Sequence, residues 1–238
     1  MSKSSPYSLI KTAVLAAGLV IATAHSAFAG SYAEVGDAGD IVSALPQLVT
    51  GSPGDTITSI TGTLTLSANI SEVDAYQIYI SSPVTFSATT TGFAPGVNNF
   101  DTQLFLFTQS GIGIVGNDDD TATGAEQSSI PAGSSFTSAL APGYYYLVIS
   151  GSGQFPSSAG GVIFKNWTDG STDPTGVYGP TGPGGGSAIS SYFGSSNEGG
   201  AYSIALTGVT IAAVPEPSPL ALGLAGALAL VALGRRRR

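Results

Sequence analysis

"FDTQLFLFTQSGIGIVGNDDD", residues 100–120, reads as two strands and the turn between them. Leu104 to Phe107 are all apolar, the pattern of a central strand covered on both faces rather than one with a wet side. Ser110-Gly111 supplies the punctuation of a tight hairpin, and the run from Ile112 to Val115 returns. A two-residue loop there sets Gln109 opposite Ile112, Leu106 opposite Val115 and Asp101 opposite Asp120. The spacing therefore predicts that Asp101, Asn117, Asp118, Asp119 and Asp120 gather at one end of the hairpin.

Working outward, alternation with period two dominates residues 57–209. In "VDAYQIYI" Tyr76, Ile78 and Ile80 share one face, and Gln77 and Tyr79 the other; in "VTFSA" Val84, Phe86 and Ala88 fall together. "TGTLTLSA" sets Leu64, Leu66 and Ala68 against Thr63, Thr65 and Ser67. "YYYLVIS" and "AYSIALTGV" complete the set, each short and bounded by Gly, Pro, Ser or Asn. The only stretch with helical character is Gly39 to Leu48. Many short strands at this spacing predict an all-β fold, an antiparallel β-sandwich or jelly roll. Residues 151–200, rich in Gly, Ser and Pro and including "GPTGPGGGS", read as a long excursion from this framework, because glycine loses most backbone entropy on ordering.

Charge narrows the function. Of seven basic residues, Lys3, Lys11 and Arg235 to Arg238 lie at the chain ends, which leaves Lys165 against fourteen acids from Glu34 to Glu198. Such a body repels phosphate backbones, so nucleic acid is excluded as a partner, and it attracts divalent cations. There is no cysteine, and the one histidine, His25, lies in a leader segment described next. A chain without Cys, His or Arg between its ends has no Ser/His/Asp or Cys/His nucleophile system, no thiolate or imidazole metal ligands and no arginine to assist phosphoryl transfer.

Both ends read as addresses. Lys3 and Lys11 precede an apolar run from Ala13 to Ala24, and Ala27-Phe28-Ala29 presents small residues where a signal peptidase reads them. Residues 1–29 are thus expected to be a signal helix, with the exported chain starting at Gly30; a permanent transmembrane helix is the other reading, though the run is short for it. At the far end, residues 214–238 carry Val214-Pro215-Glu216-Pro217, an uncharged run Leu220 to Gly234, and Arg235, Arg236, Arg237 and Arg238. As a helix the run would span about 22 Å, and the arginines hold that end in the cytoplasm while the body lies outside.

This three-part tail resembles the PEP-CTERM sorting signal of Gram-negative bacteria. The resemblance implies recognition by a membrane-embedded exosortase, transient residence in the inner membrane through the C-terminal hydrophobic helix, and delivery to the cell surface or the exopolysaccharide matrix. A permanent single-pass anchor is the alternative. Residues 30–213 form the body. Within it "GDAGDIVSALPQLV", "EVDAYQIYI", "FDTQLFLFTQSGIGIVGNDDD", "APGYYYLVISG" and "GGAYSIALTG" follow the order of the bacterial pre-peptidase C-terminal domain group. That group implies a small secreted β-sandwich without catalytic activity, some of whose relatives bind calcium or polymers.

Several candidate sites follow. The acidic hairpin end suits Ca²⁺, a hard cation that takes oxygen ligands; alternatively it is a solvated loop that keeps a sheet edge from pairing with neighbours. "DGSTDP", residues 169–174, is a lesser acidic candidate or a plain turn. Trp167, the only tryptophan, offers either a stacking platform for a sugar ring or a plug for one end of the sandwich. A glycan-active enzyme needs paired carboxylates flanking the scissile bond; Asp74, Asp101 and Glu198 qualify by type, but nothing in the sequence places two together. The Thr61, Thr63, Thr65 row would suit an ice-binding face or an ordinary wet strand. The reading that accommodates most of these features is a non-enzymatic exported matrix or surface protein, with a calcium-dependent polysaccharide-binding module as its alternative.

Overall fold

The computed structural model describes residues 28–212 apart from 68–69, 93–95, 121–124 and 166–172. The expectations for the signal helix, Ala27, Trp167, the tail with Pro215, Glu216, Pro217 and Arg235 to Arg238, and its apolar run therefore lie outside the described residues. Among the described residues the chain is all-β and mainly antiparallel. Its strands are β1 (Ala29–Ala33), β2 (Gln47–Leu48), β3 (Thr56–Leu64), β4 (Leu66–Ser67), β5 (Ile70–Ser71), β6 (Asp74–Ile80), β7 (Ser87–Thr89) and β8 (Thr102–Thr108). Then follow β9 (Gly113–Asn117), β10 (Ser129–Ile130), β11 (Gly143–Gly151), β12 (Gln154–Ser158), β13 (Gly161–Val162), β14 (Ser191–Gly194), β15 (Gly200–Thr207) and β16 (Val209–Thr210). A single helical turn, α1 (Ser135–Ser138), is capped by the Ser134 side chain.

The principal sheet runs β10-β7-β15-β3-β16-β6-β11-β8-β9, with β1 added in parallel on β3 and β2 in parallel on β6. Its path curls until the two edge strands meet. Asn117, at the end of β9, accepts the Ser129 N–H of β10 on Oδ1 at 2.6 Å, while its Nδ2 donates to the Asp119 and Gly176 carbonyls. One amide side chain thus bridges the two edge strands, which are not paired to each other along the sheet path.

Pleat alternation explains the core. Tyr76, Ile78 and Ile80 of β6, Leu104 and Leu106 of β8, Leu147 and Ile149 of β11, and Ile204 of β15 point inward as one apolar cluster. Ala75, Phe105, Phe107 and Val148 occupy the opposite face of the same strands, where Phe155, Ile163 and Phe164 cover them. The uninterrupted run Leu104–Phe107 is therefore buried on both sides, as its lack of alternation requires.

Three local expectations are corrected. The Gly/Ser/Pro-rich excursion is not irregular throughout: β13-β12-β14 form a small sheet whose residues supply the outer cover. Its glycines serve close backbone approach; a Cβ at Gly185 would stand 1.8 Å from the Pro180 carbonyl oxygen. Gly39 to Leu48 is not helical. Gly39 and Ile41 take positive φ, Asp40 Oδ1 accepts the Val42, Ser43 and Ala44 N–H groups, and β2 follows. Val84 and Leu66 are exposed, because Val84 lies in a turn before β7 and the strand pairing of β3 breaks after Leu64.

The sheet also sorts charge. The end where β3, β9 and β11 finish and β6, β8 and β15 start carries Glu34, Glu72, Asp74, Asp101, Asp118, Asp119, Glu126 and Glu198. The opposite end holds Asp55, and there both termini of the described chain leave: Phe28 N–H donates to Asp55 Oδ1 at 3.1 Å and Ile211 N–H to the Asp55 carbonyl at 2.8 Å.

Candidate metal centre at the hairpin end

The β8–β9 hairpin positions the site. Its turn is wider than a two-residue loop: Gly111, at φ 78°, donates to the Thr108 carbonyl and Thr108 N–H donates to the Ile112 carbonyl. A bulge follows, with Phe107 opposite Gly113, after which Leu106 faces Val115 and Leu104 faces Asn117. The extra turn residue and the bulge offset each other, so the predicted register holds from Leu106–Val115 to Leu104–Asn117, although neither the predicted Gln109–Ile112 pair nor the predicted Asp101–Asp120 pair forms: Asp120 bridges to Ala125 instead.

Alternation then divides the predicted residues. Asn117 shares the inner face with Leu104 and is spent on bridging the two edge strands. Asp118, next along, turns to the other side, where Asp101 and Asp119 meet it: one carboxylate oxygen from each of the three lies within 4.8 Å of the others. Asp120 is buried but stands outside that group; its N–H donates to the Ala125 carbonyl at 3.1 Å. Asp173, from the lesser acidic candidate, lies close enough to act on Asp119.

The three carboxyls are held against their preference. Burial, and then the charges of Asp118 and Asp119, push Asp101 up to about 8. Asp118, only 4% exposed, is pushed up to about 7 by burial and then by Asp119, against the lowering effect of Gln103 and Ser152. Asp119 is raised by burial and by Glu126 and Asp173. Asp101 Oδ1 and Asp118 Oδ1 are buried without a hydrogen-bond partner among the described residues, an arrangement that costs stability unless something compensates it. Lys165, the only lysine or arginine between Lys11 and Arg235, instead lies 4.8 Å over the Tyr178 ring. An all-oxygen donor set with unspent lone pairs fits a hard divalent cation, whose charge would reverse the repulsion.

Sequence reasoning missed Gln103, Ser152 and Glu126. Gln103 was legible in principle, since a residue two after Asp101 in an extended segment returns to the same side; Ser152 and Glu126 come from other parts of the chain. Asp74 and Glu198, considered as acids of a glycosidase, are not in this group. Asp74 is fully buried and its Oδ2 accepts the Tyr202 hydroxyl at 2.6 Å. Comparison with known proteins adds nothing to this geometry: no family model, curated protein or solved structure matches the chain.

Proposed function

We propose that the protein is a non-enzymatic exported component of the bacterial cell surface or exopolysaccharide matrix, whose body holds one Ca²⁺ through Asp101, Asp118 and Asp119. The observation that carries the calcium reading is the convergence of three carboxylates, two of them with buried oxygens that nothing among the described residues satisfies. Calcium accepts six to eight oxygens, so water and neighbouring carbonyls complete the shell.

Export and sorting rest on the two terminal segments: a signal peptidase acts after Ala29, and an exosortase reads the Pro-Glu-Pro tail in the inner membrane. The fold suits that delivery, since both described termini leave from the end opposite the aspartates, and a body held at its tail would present the metal end outward. The sandwich of the pre-peptidase C-terminal kind is the finer reading of the fold, supported by the two apolar layers on either side of β6, β11 and β8.

Thermal unfolding in EDTA and in millimolar calcium tests the reading. A calcium level a hundredfold above the dissociation constant adds about 2.7 kcal/mol, or several degrees for a domain of this size. Asp118→Asn should remove that gain. An unchanged midpoint for the unaltered protein would return the aspartates to a plain acidic rim.

A further inference from the structure

The side-chain amide of Gln103 is out of balance with its surroundings. Gln103 lies on β8, fully buried, on the face that Asp101 shares by strand alternation. On one side it is paired with Ser150 of β11. On the other, one step beyond the Leu104–Asn117 pair, it stands across from Asp118. It lowers Asp118, the effect of an amide N–H end turned toward a carboxylate.

Neither end of this amide is well served. Nε2, with two N–H groups to place, has no hydrogen-bond partner among the described residues. Oε1 is offered the Ser150 hydroxyl at 3.4 Å, but that hydroxyl also stands 3.3 Å from the Gln154 carbonyl. A hydroxyl has one proton to give, so it serves one acceptor at a time.

A half-turn about the terminal bond exchanges the two ends at little cost, because they are alike in size and that torsion is soft. Nε2 then donates to Ser150 Oγ, and the Ser150 proton is left for the Gln154 carbonyl. The turn brings Oε1 to the side of Asp118, where Asp101 Oδ1 and Asp118 Oδ1 are already buried without partners. Oxygen facing oxygen in a buried site is tolerable only with a cation between them. The orientation of this one side chain is therefore tied to the occupancy of the site.

We propose that Gln103 is a ligand of the calcium site, its amide turning on metal binding so that Oε1 joins the oxygens of Asp101, Asp118 and Asp119. The role rests on the calcium reading above and adds to it a neutral donor. Three carboxylates already exceed the charge of a divalent ion, so a neutral oxygen raises the coordination number without further repulsion.

Calcium titration calorimetry and unfolding midpoints of the full chain test it, on the unaltered protein, Gln103→Met and Gln103→Glu. Gln103→Met keeps the length of the side chain but brings no oxygen. It should weaken calcium binding about tenfold or more, while its midpoint in EDTA stays unchanged or rises, since an unpaired buried amide has gone. Gln103→Glu brings back an oxygen and should recover most of the calcium affinity, with a lower midpoint in EDTA from the added like charge. In the unaltered protein, calcium should bring nuclear Overhauser contacts between the Gln103 side-chain amide protons and Ser150, a readout that does not depend on whether either variant folds. Undiminished calcium affinity in Gln103→Met, a midpoint lowered equally in EDTA and in calcium, or amide contacts that calcium leaves unchanged would overturn the ligand role and leave the three-aspartate site in place. Absence of calcium binding by the unaltered protein would overturn the site itself and the ligand role with it.

Discussion

Consider the metal-free protein taken from pH 5 to pH 8. Asp118 has its folded value raised from 3.8 to about 7, so the folded state binds its proton more tightly than the unfolded chain does. The stability this contributes is complete below the unfolded value near 4 and is lost as pH rises through about 7. From pH 5 upward about two units of that shift remain to be lost, so at 1.36 kcal/mol per unit the loss is on the order of 3 kcal/mol, or roughly 8 °C in midpoint for a domain of this size. Asp74, raised to about 8 by burial against the lowering hydrogen bond from Tyr202, acts in the same direction and an overlapping window. Both cannot be expressed in full within a total stability of about 5–15 kcal/mol, so the two must be separated. Asp74→Asn keeps an acceptor for Tyr202 and should remove only its own part of the pH dependence. Asp118→Asn should flatten its own part and leave that of Asp101, which burial also raises to about 8. Calcium should restore stability at pH 8 in the unaltered protein and in Asp74→Asn, but not in Asp118→Asn, and should do little at pH 5, where protons compete for the same oxygens. Midpoints by differential scanning calorimetry across this grid decide the matter. A flat profile in EDTA, or a calcium gain as large at pH 5 as at pH 8, would refute the reasoning.

Three further outcomes follow from the packing. Phe164→Ala empties the stack on Phe105, 5.2 Å between ring centroids, and the edge contact on Phe107 at 5.6 Å; the cost should be about 3–5 kcal/mol in denaturant unfolding, with proteolytic cutting moving into residues 151–200. Tyr202→Phe removes the hydroxyl between Asp74 and Tyr76, which should cost about 1–3 kcal/mol. It should also move the Asp74-dependent fall in stability to higher pH, because the bond that lowers Asp74 is gone. Asn117→Ala strips partners from the Ser129 N–H and from two carbonyls; it should lose more than about 2 kcal/mol and accelerate hydrogen exchange at Ser129 relative to Leu147.

Much of this architecture is readable locally, and the exceptions share a cause. The β8 strand announces its double burial through Leu104 to Phe107, and β6 announces its inner face through Tyr76, Ile78 and Ile80. The hairpin register was legible only because a wider turn and a bulge cancel. By contrast β1 and β2 pair in parallel with strands far along the chain, and neither carries a strand pattern of its own length. The small sheet β13-β12-β14 is hidden because its glycines report close approach, as at Gly185, in the same letters that a loop would use. Within the site, Asp101, Asp118 and Asp119 follow from the hairpin. Asn117 was drawn to the bridge between the edge strands by its partner Ser129, whose position depends on the curl of the whole sheet.

The central claim is a single calcium ion on three aspartates, and calcium titration calorimetry at pH 7.5 in two buffers of different protonation enthalpy addresses it most directly. The account predicts one site per chain, release of protons on binding because Asp101 and Asp118 are partly protonated beforehand, and loss of both signals in Asp118→Asn. Absence of binding heat, or binding that releases no proton and survives Asp118→Asn, would contradict it.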